Sequence, residues 1–339
     1  MKKNQEITIH NLANVLKISA STVSRALNDN SRISKKTREL VQQKAIELGY
    51  RPNVLAANLR SKKSNTIGVV VPRIDRYFFA SAISGIEDYA WTKGYNVIIS
   101  QSNDLLAKEI NCVLSLFNNR VDGMIVSISM QTNEDKHFRL FSEKNIPLLF
   151  FDRFCPTIEC DRIVVDDFNS GYNITNQLIL RGCKRIAHIA GPELLNIYKD
   201  RKEGYLKALS DAGLPLFKGY LESTKLTREE GFQAFQRLML LQEPPDGVFC
   251  GNDTTALSAL EYCQKNNIKV PYDVALTGFS DEPFSAVVTP SLSTVKQPGY
   301  QMGFQAAQKI IHRIENINYV IPFEKIVLPT QLIIRDSSR

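Results

Sequence analysis

The sequence predicts two unlike parts: a short all-α head built around a helix-turn-helix, then a two-lobed α/β body of parallel sheets flanked by helices. Three observations predict it. Residues 1–63 hold 13 Lys and Arg against four Asp and Glu, a net of +9, whereas the other 276 residues hold 29 basic and 31 acidic groups, a net of −2. Within the basic segment, apolar residues recur at helical spacing with one very short break. Beyond residue 65, short apolar runs alternate with amphipathic stretches, the pattern of parallel strands covered by helices.

In the head, Thr8 stands as the N-cap of a first helix with Ile9, Leu12, Ala13 and Leu16 on its apolar stripe. Ser19 or Ser21 caps a second helix, whose inward face is Val23, Ala26 and Leu27. Ser34 caps a third, with Leu40 or Val41, Ala45 and Leu48 inward and Gly49 as its stop. Only Lys17 and Ile18 separate the first two helices, so tight a turn that the pair forms a helix-turn-helix. On the second helix Ser21, Arg25 and Asn28 fall at i, i+4 and i+7, opposite the apolar face. Small residues at a helix start let it approach the floor of a DNA major groove, and an arginine one turn on reaches a guanine edge. Thr22 and Ser24 offer short hydroxyls suited to phosphates. Positive charge concentrated in this way is the footprint of a nucleic-acid-binding head. A merely solubilising tail would not carry the apolar periodicity.

The connector "YRPNVLAANLRSKKSNT" is interrupted by Pro52. Its "NVLAANLR" has room for two helical turns, too few to be stable alone, and the basic flank of Arg60, Lys62 and Lys63 suggests an anionic surface as support. The body follows with "TIGVVVP", "GYNVIIS", "VDGMIVSI", "IPLLFFD", "RIAHIAG", "DGVFCGN" and "VALTGF" as interior strands. "DGMIVS" at 122–127 and "DGVFCG" at 246–251 echo each other and point to two similar lobes. Six sparse cysteines and four histidines at no metal spacing read as cytosolic free thiols and no metal site. No apolar run approaches the ~20 residues of a bilayer span, and the N-terminus lacks a signal-peptide h-region. GxGxxG after a strand, a P-loop, GxSxG and HExxH are absent. The expectation is a cytoplasmic protein that is not an enzyme, with no cofactor and no membrane partner.

"TIHNLANVLKISASTVSRALN" and "ISKKTRELVQQKAIELGYRPNVLAANLR" resemble the head of the lactose/galactose repressor (LacI/GalR) family. "NTIGVVVP", "SGIEDYA", "DRKEGYLKAL", "FCGNDTTAL", "VALTGFSD" and "TPSLSTVKQP" carry the resemblance nearly to the C-terminus. It implies a DNA-binding head at 1–52, a hinge helix and linker at 53–64, and an effector-binding and dimerisation domain at 65–339. That domain would resemble periplasmic binding proteins, with an N-lobe of about 65–164 and 293–322 and a C-lobe of about 165–292 and 323–339. The implied function is a transcriptional repressor of carbohydrate metabolism, a homodimer on pseudo-palindromic double-stranded operator DNA; some members pair into tetramers. By position, Ala20, Ser21 and Arg25 would read bases, and Thr22, Ser24 and Asn28 would contact the backbone. Leu59 would wedge into the minor groove with Arg60 beside it, unstacking being repaid by wider contact with bent DNA. Lys17 stands where the family often has glycine; a left-handed backbone there costs lysine about 1–2 kcal/mol.

The resemblance also implies a small-molecule effector (a sugar, sugar acid or sugar phosphate) at the carboxyl ends of the strands, the general ligand edge of open α/β sheets. The positions are Phe78, Phe79, Asp152, Arg153, Arg201, Asn252 and Asp281. Phe78 and Phe79 also read as core or dimer interface, and Asp152 as a helix cap. Arg201 stands where the family has a ligand arginine. Leu226 replaces an aromatic stacking platform, and Arg153 an aromatic of the purine-responsive member. A purine is therefore not expected, and the added charge of Arg153 favours an acidic ligand. Lobe movement on binding would shift the paired hinges, changing operator affinity by the ~1–3 kcal/mol typical of allosteric coupling.

Overall fold

The computed structural model describes residues 7–50 and 63–338. Leu59, Arg60 and the rest of the expected hinge helix lie outside the described residues. The chain divides into two compact units, residues 1–64 and 65–339.

The first unit holds α1 (Ile9–Leu16), α2 (Ala20–Leu27) and α3 (Lys35–Glu47). Ser19, not Ser21, caps α2: its Oγ accepts from the Thr22 amide at 3.1 Å. Ser34 caps α3 through the Thr37 amide at 3.2 Å. Leu12, Ala13, Val23, Ala26, Val41 and Ala45 form the buried centre. Val41 rather than Leu40 faces inward, because it lies a full turn before Ala45; Leu40 is exposed. Lys17 ends α1 in the left-handed region, φ 52° and ψ 39°. Its amide donates to the Asn14 carbonyl and that of Ile18 to the Ala13 carbonyl, at 3.3 and 3.1 Å. This two-bond helix stop satisfies the terminal carbonyls and turns the chain directly into α2.

In the second unit a six-stranded parallel sheet runs in the order β11-β5-β4-β3-β1-β2. Its strands are β1 (Thr66–Val71), β2 (Asn96–Gln101), β3 (Gly123–Val126), β4 (Leu148–Phe151), β5 (Asp161–Val165) and β11 (Lys325–Leu328). Both faces are covered, which is why β1 reads as an unbroken apolar run. Ile67, Val69 and Val71 pack with Ile86 of α4 (Tyr77–Thr92) and Ile310 of α11 (Gly299–Glu315). Val70 faces the opposite side, with Val113 and Leu116 of α5 (Leu106–Asn118) and Phe138 of α6 (Lys136–Glu143). A second parallel sheet, β7-β6-β8-β9, is built from β6 (Ile186–Ala190), β7 (Leu221–Ser223), β8 (Gly247–Cys250) and β9 (Ala275–Thr277). Around it lie α7 (Asp167–Leu180), α8 (Asn196–Asp211), α9 (Arg228–Met239) and α10 (Asp253–Lys265).

Two expectations need correction. The lobe boundary was expected at 322/323, yet Lys325–Leu328 pairs in parallel with Arg162–Val165 and belongs to the first sheet. The return to the first lobe was expected at 293, yet β10 (Thr294–Lys296) pairs antiparallel with β12 (Gln331–Ile333), and Thr294 bonds Asp253 of the second lobe. Backbone ladders, invisible in composition, set both crossings. "GYNVIIS", an interior strand by its apolar run, forms an edge strand instead, with Ile98 and Ile99 exposed.

One close approach matters for the site. A Cβ at Gly171 would lie 2.4 Å from the Arg201 carbonyl oxygen, and one at Gly204 2.1 Å from that of Phe168. Glycine lets α7 and α8 cross backbone to backbone, and that crossing brings Arg201 of α8 against Asp167 of α7.

Candidate functional site

On α2, Ser21, Arg25 and Asn28 are exposed on the side opposite the buried Val23 and Ala26. Ala20, Thr22 and Ser24 are half-buried, and Ala20 packs against the head core. Among the described residues Arg25 has no hydrogen-bond or ion-pair partner, so its guanidinium projects as a free donor fork. Ser21 and Thr22 hydroxyls each lie 2.8 Å from Ser19 Oγ, which organises the start of the helix. Asn28 Nδ2 donates to the Ser24 carbonyl at 2.9 Å, closing the helix end. Below the helix, Arg38 Nη1 donates to the Asp29 carbonyl at 3.1 Å and pins the loop leading to α3.

The second site lies at the carboxyl ends of the strands in both lobes, around a cavity of about 100 Å³. Phe78, Phe79, Asp152, Arg153, Arg201 and Asn252 all line it. Phe78 and Phe79 are also core residues, 5.1 Å apart edge to face, with Phe79 packed on Phe151. Asp281 does not line the cavity. Its Oδ1 accepts from Arg335 Nη2 at 2.7 Å, and that ion pair turns the carboxylate away; Ser280 and Glu282 line the wall instead.

Buried charges in the cavity wall are paired or hydrogen-bonded, as they must be where water cannot solvate them; Asp253 accepts from the Glu282 amide and the Ser285 and Thr294 hydroxyls, and the others meet opposite charges. Arg201, 3% exposed, donates from Nε to Asp167 at 2.7 Å and from Nη1 to the Gly251 carbonyl at 3.1 Å. Its guanidinium lies 3.5 Å over the Phe279 ring. Burial pushes the Asp167 carboxyl up to about 7, against the opposing pull of Arg201. Arg153 donates from Nη1 to Asp104 at 2.6 Å and from Nη2 to the Tyr198 hydroxyl at 3.3 Å, while its buried Nε makes no hydrogen bond among the described residues. The expected surplus charge of Arg153 is thus matched by Asp104 and by Asp152, whose Oδ2 is 3.8 Å away. That charge therefore leaves no preference for an acidic ligand. Burial raises the Asp152 carboxyl, with Arg153 and Arg201 working in the other direction. Asp152 starts no helix; it takes φ 61° in the loop after β4. Asn252 caps α10 through the Thr255 amide at 2.8 Å and donates to the Leu226 carbonyl at 3.1 Å, so both ends of its amide hold the wall together.

Residues 8–53 match the model for bacterial regulatory proteins of the lacI family, and residues 175–338 match a periplasmic binding protein-like domain. The chain is 34% identical over 331 residues to the NTD biosynthesis operon regulator NtdR of Bacillus subtilis, covering 98% of this chain and 99% of that one. The chain belongs to the LacI family. It is also 31% identical to the HTH-type transcriptional repressor CytR of Escherichia coli K12, over 100% of this chain and 98% of the relative. A solved Lac repressor dimer, bound to operator and the anti-inducer ONPF, shares the fold with a TM-score of 0.86 at 24% identity, covering 98% and 99% of the two chains. Like its relatives, this LacI-family chain is a transcriptional regulator with a helix-turn-helix DNA-binding head. Among the described residues no helix is long and apolar enough to cross a membrane.

Three groups in this LacI-family cleft were not expected from the sequence. Asp104 follows Asn103 in consecutive left-handed residues at the end of β2, a signal that "SND" after an apolar strand could have provided. Tyr198 sits one helical turn before Arg201 and shares its side of α8. Asn196 donates to the Asp152 carbonyl at 3.1 Å and accepts from the Phe154 amide at 3.2 Å. With an Arg76–Thr254 hydrogen bond, these contacts clasp the two lobes around the cavity. Nothing in local sequence announces Asn196, because its partners are backbone atoms of the other lobe.

Proposed function

We propose that this regulator is a sequence-specific repressor whose operator affinity is set by a small hydroxyl-rich ligand, a sugar or sugar derivative, held in the inter-lobe cavity. It acts in the cytoplasm as a homodimer on a pseudo-palindromic operator and catalyses no reaction. Ala20, Ser21 and Arg25 read base edges, Thr22, Ser24 and Asn28 hold the phosphate backbone, and Leu59 with Arg60 works at the central minor groove. Arg201, Arg153, Asp152 and Asn252 order the ligand cavity, and Phe78 and Phe79 supply its apolar side.

One observation carries the reading: a single chain joins an arginine on an exposed helix face, unpartnered among the described residues, to an inter-lobe cavity walled by buried charges and hydrogen-bonding groups. Such alternating donors and acceptors suit hydroxyl groups, each of which donates and accepts. Ligand and operator are then linked reciprocally, each changing the other's affinity by the same factor. The test is operator selection with the full chain from a random DNA pool, followed by anisotropy titrations with a sugar panel. The expected result is one pseudo-palindromic site and at least one sugar that changes its affinity about 5- to 150-fold. A chain that selects no DNA sequence, or whose selected site ignores every sugar, overturns it.

A further inference from the structure

Tyr198 stands where the two lobes meet and is 5% exposed, although it lines the cavity. Three contacts hold it. Its ring lies so close to Gly191 that a Cβ there would sit 2.4 Å from a ring carbon, so the side chain has no room to retreat toward the strand end. Its hydroxyl takes a hydrogen bond from Arg153 Nη2, across from the other lobe, at 3.3 Å. The guanidinium carbons of Arg153 and Arg201 lie 5.8 and 5.6 Å from the ring centroid, in cation–π range. The ring therefore occupies the middle of the cleft between the two arginines that the ligand would meet. What remains is about 100 Å³, well below the roughly 300–1,000 Å³ of sites that take drug-sized ligands. Leu226, also in the wall, is 1% exposed and packed on Gly251, so it opens no further volume.

We infer that Tyr198 is the size-limiting residue of the ligand site and confines it to compact molecules of one sugar ring, excluding two-ring sugars. The inference rests on the sugar-binding reading above. With the lobes clasped, a second ring must displace either the tyrosine or the Arg153–Tyr198 contact. The tyrosine acts by volume, and its hydroxyl contributes only to holding the ring in place.

The test is calorimetric titration of the full chain, wild type, Tyr198→Ala and Tyr198→Phe. The probes are ribose, glucose, galactose and glucuronate against lactose, cellobiose and maltose. Wild type should bind its best one-ring sugar on the order of 100-fold more tightly than any two-ring sugar, the scale of overfilling a packed site. Tyr198→Ala should reduce that ratio at least about tenfold, whereas Tyr198→Phe, which keeps the ring, should preserve it. A wild type that binds a two-ring sugar as well as any one-ring sugar overturns the inference and leaves the sugar reading standing. So does a folded Tyr198→Ala protein, verified by circular dichroism, with the wild-type ratio. If no probe binds wild type or either variant, the sugar reading itself is wrong and the inference falls with it.

Discussion

The head and the cleft use arginine in opposite ways. Arg25 is exposed and unpartnered among the described residues, on a helix whose other face builds the core. Arg201 and Arg153 are 3% and 6% exposed, and each is tied to a carboxylate at 2.7 or 2.6 Å. A surface that must meet an anionic polymer keeps its charge solvated and free; a site that must enclose a small molecule pairs its charges beforehand. Arg25 can therefore be changed at little cost in stability, whereas Arg201 and Arg153 cannot.

The largest expected effect lies in the cleft. Arg201→Ala leaves Asp167 buried without its partner and should destabilise the body by about 3–5 kcal/mol in urea unfolding. The penalty has a pH sign. The Asp167 carboxyl is already raised to about 7 by burial. A group raised in the folded state contributes stability at low pH that is lost as pH rises through its folded value. Without Arg201 the value rises further, so the loss should be greater near pH 8 than near pH 6. Combining Arg201→Met with Asp167→Asn should recover most of the stability but no sugar response. A single variant as stable as wild type would break the contrast drawn here.

Arg25→Ala comes next and tests the other side. It should lower discrimination for the selected operator by about 5- to 150-fold, the value of one bidentate base contact. Weak, salt-sensitive binding to any DNA should persist, and unfolding should move by less than about 0.5 kcal/mol, as for a surface change. A large loss of stability would show that the arginine is structural after all. The smallest effect sharpens the head's internal economy: Lys17→Gly should stabilise α1 and α2 by about 1 kcal/mol, since glycine takes the left-handed turn without the lysine's strain. Amide hydrogen exchange of the two helices in the full chain would read it. Slower exchange is expected; faster exchange would contradict the strain argument.

How much of this was legible in advance differs between the two units. The head's three helices, their threonine and serine caps and the outward face of Ser21, Arg25 and Asn28 follow from spacing along the chain. Each depends on residues within one or two turns. The interior strands of the body were equally plain where both faces are covered, as in "TIGVVV". Less plain were β5 (Asp161–Val165), which opens on two charged residues, and β11, β10 and β12, whose partners are far away in sequence. The cleft was legible only as a set of positions. Six of the seven expected residues line it, but the pairing of Arg153 with Asp104, the turning of Asp281 by Arg335, and the roles of Tyr198 and Asn196 were not.

By itself, then, the sequence determined what local periodicity and charge can encode: a basic helix-turn-helix head, a linker, and an alternating α/β body with candidate ligand residues at its strand ends. Tertiary structure alone decided which carboxylate neutralises which guanidinium, where the chain crosses between lobes, and how much room is left between them. Those outcomes depend on distances between segments far apart in the chain, 160 residues for Ser170 and Thr330 and 49 for Arg153 and Asp104. Burial then turns such distances into consequences, because a charge hidden from water is governed by its nearest opposite charge rather than by its neighbours along the chain.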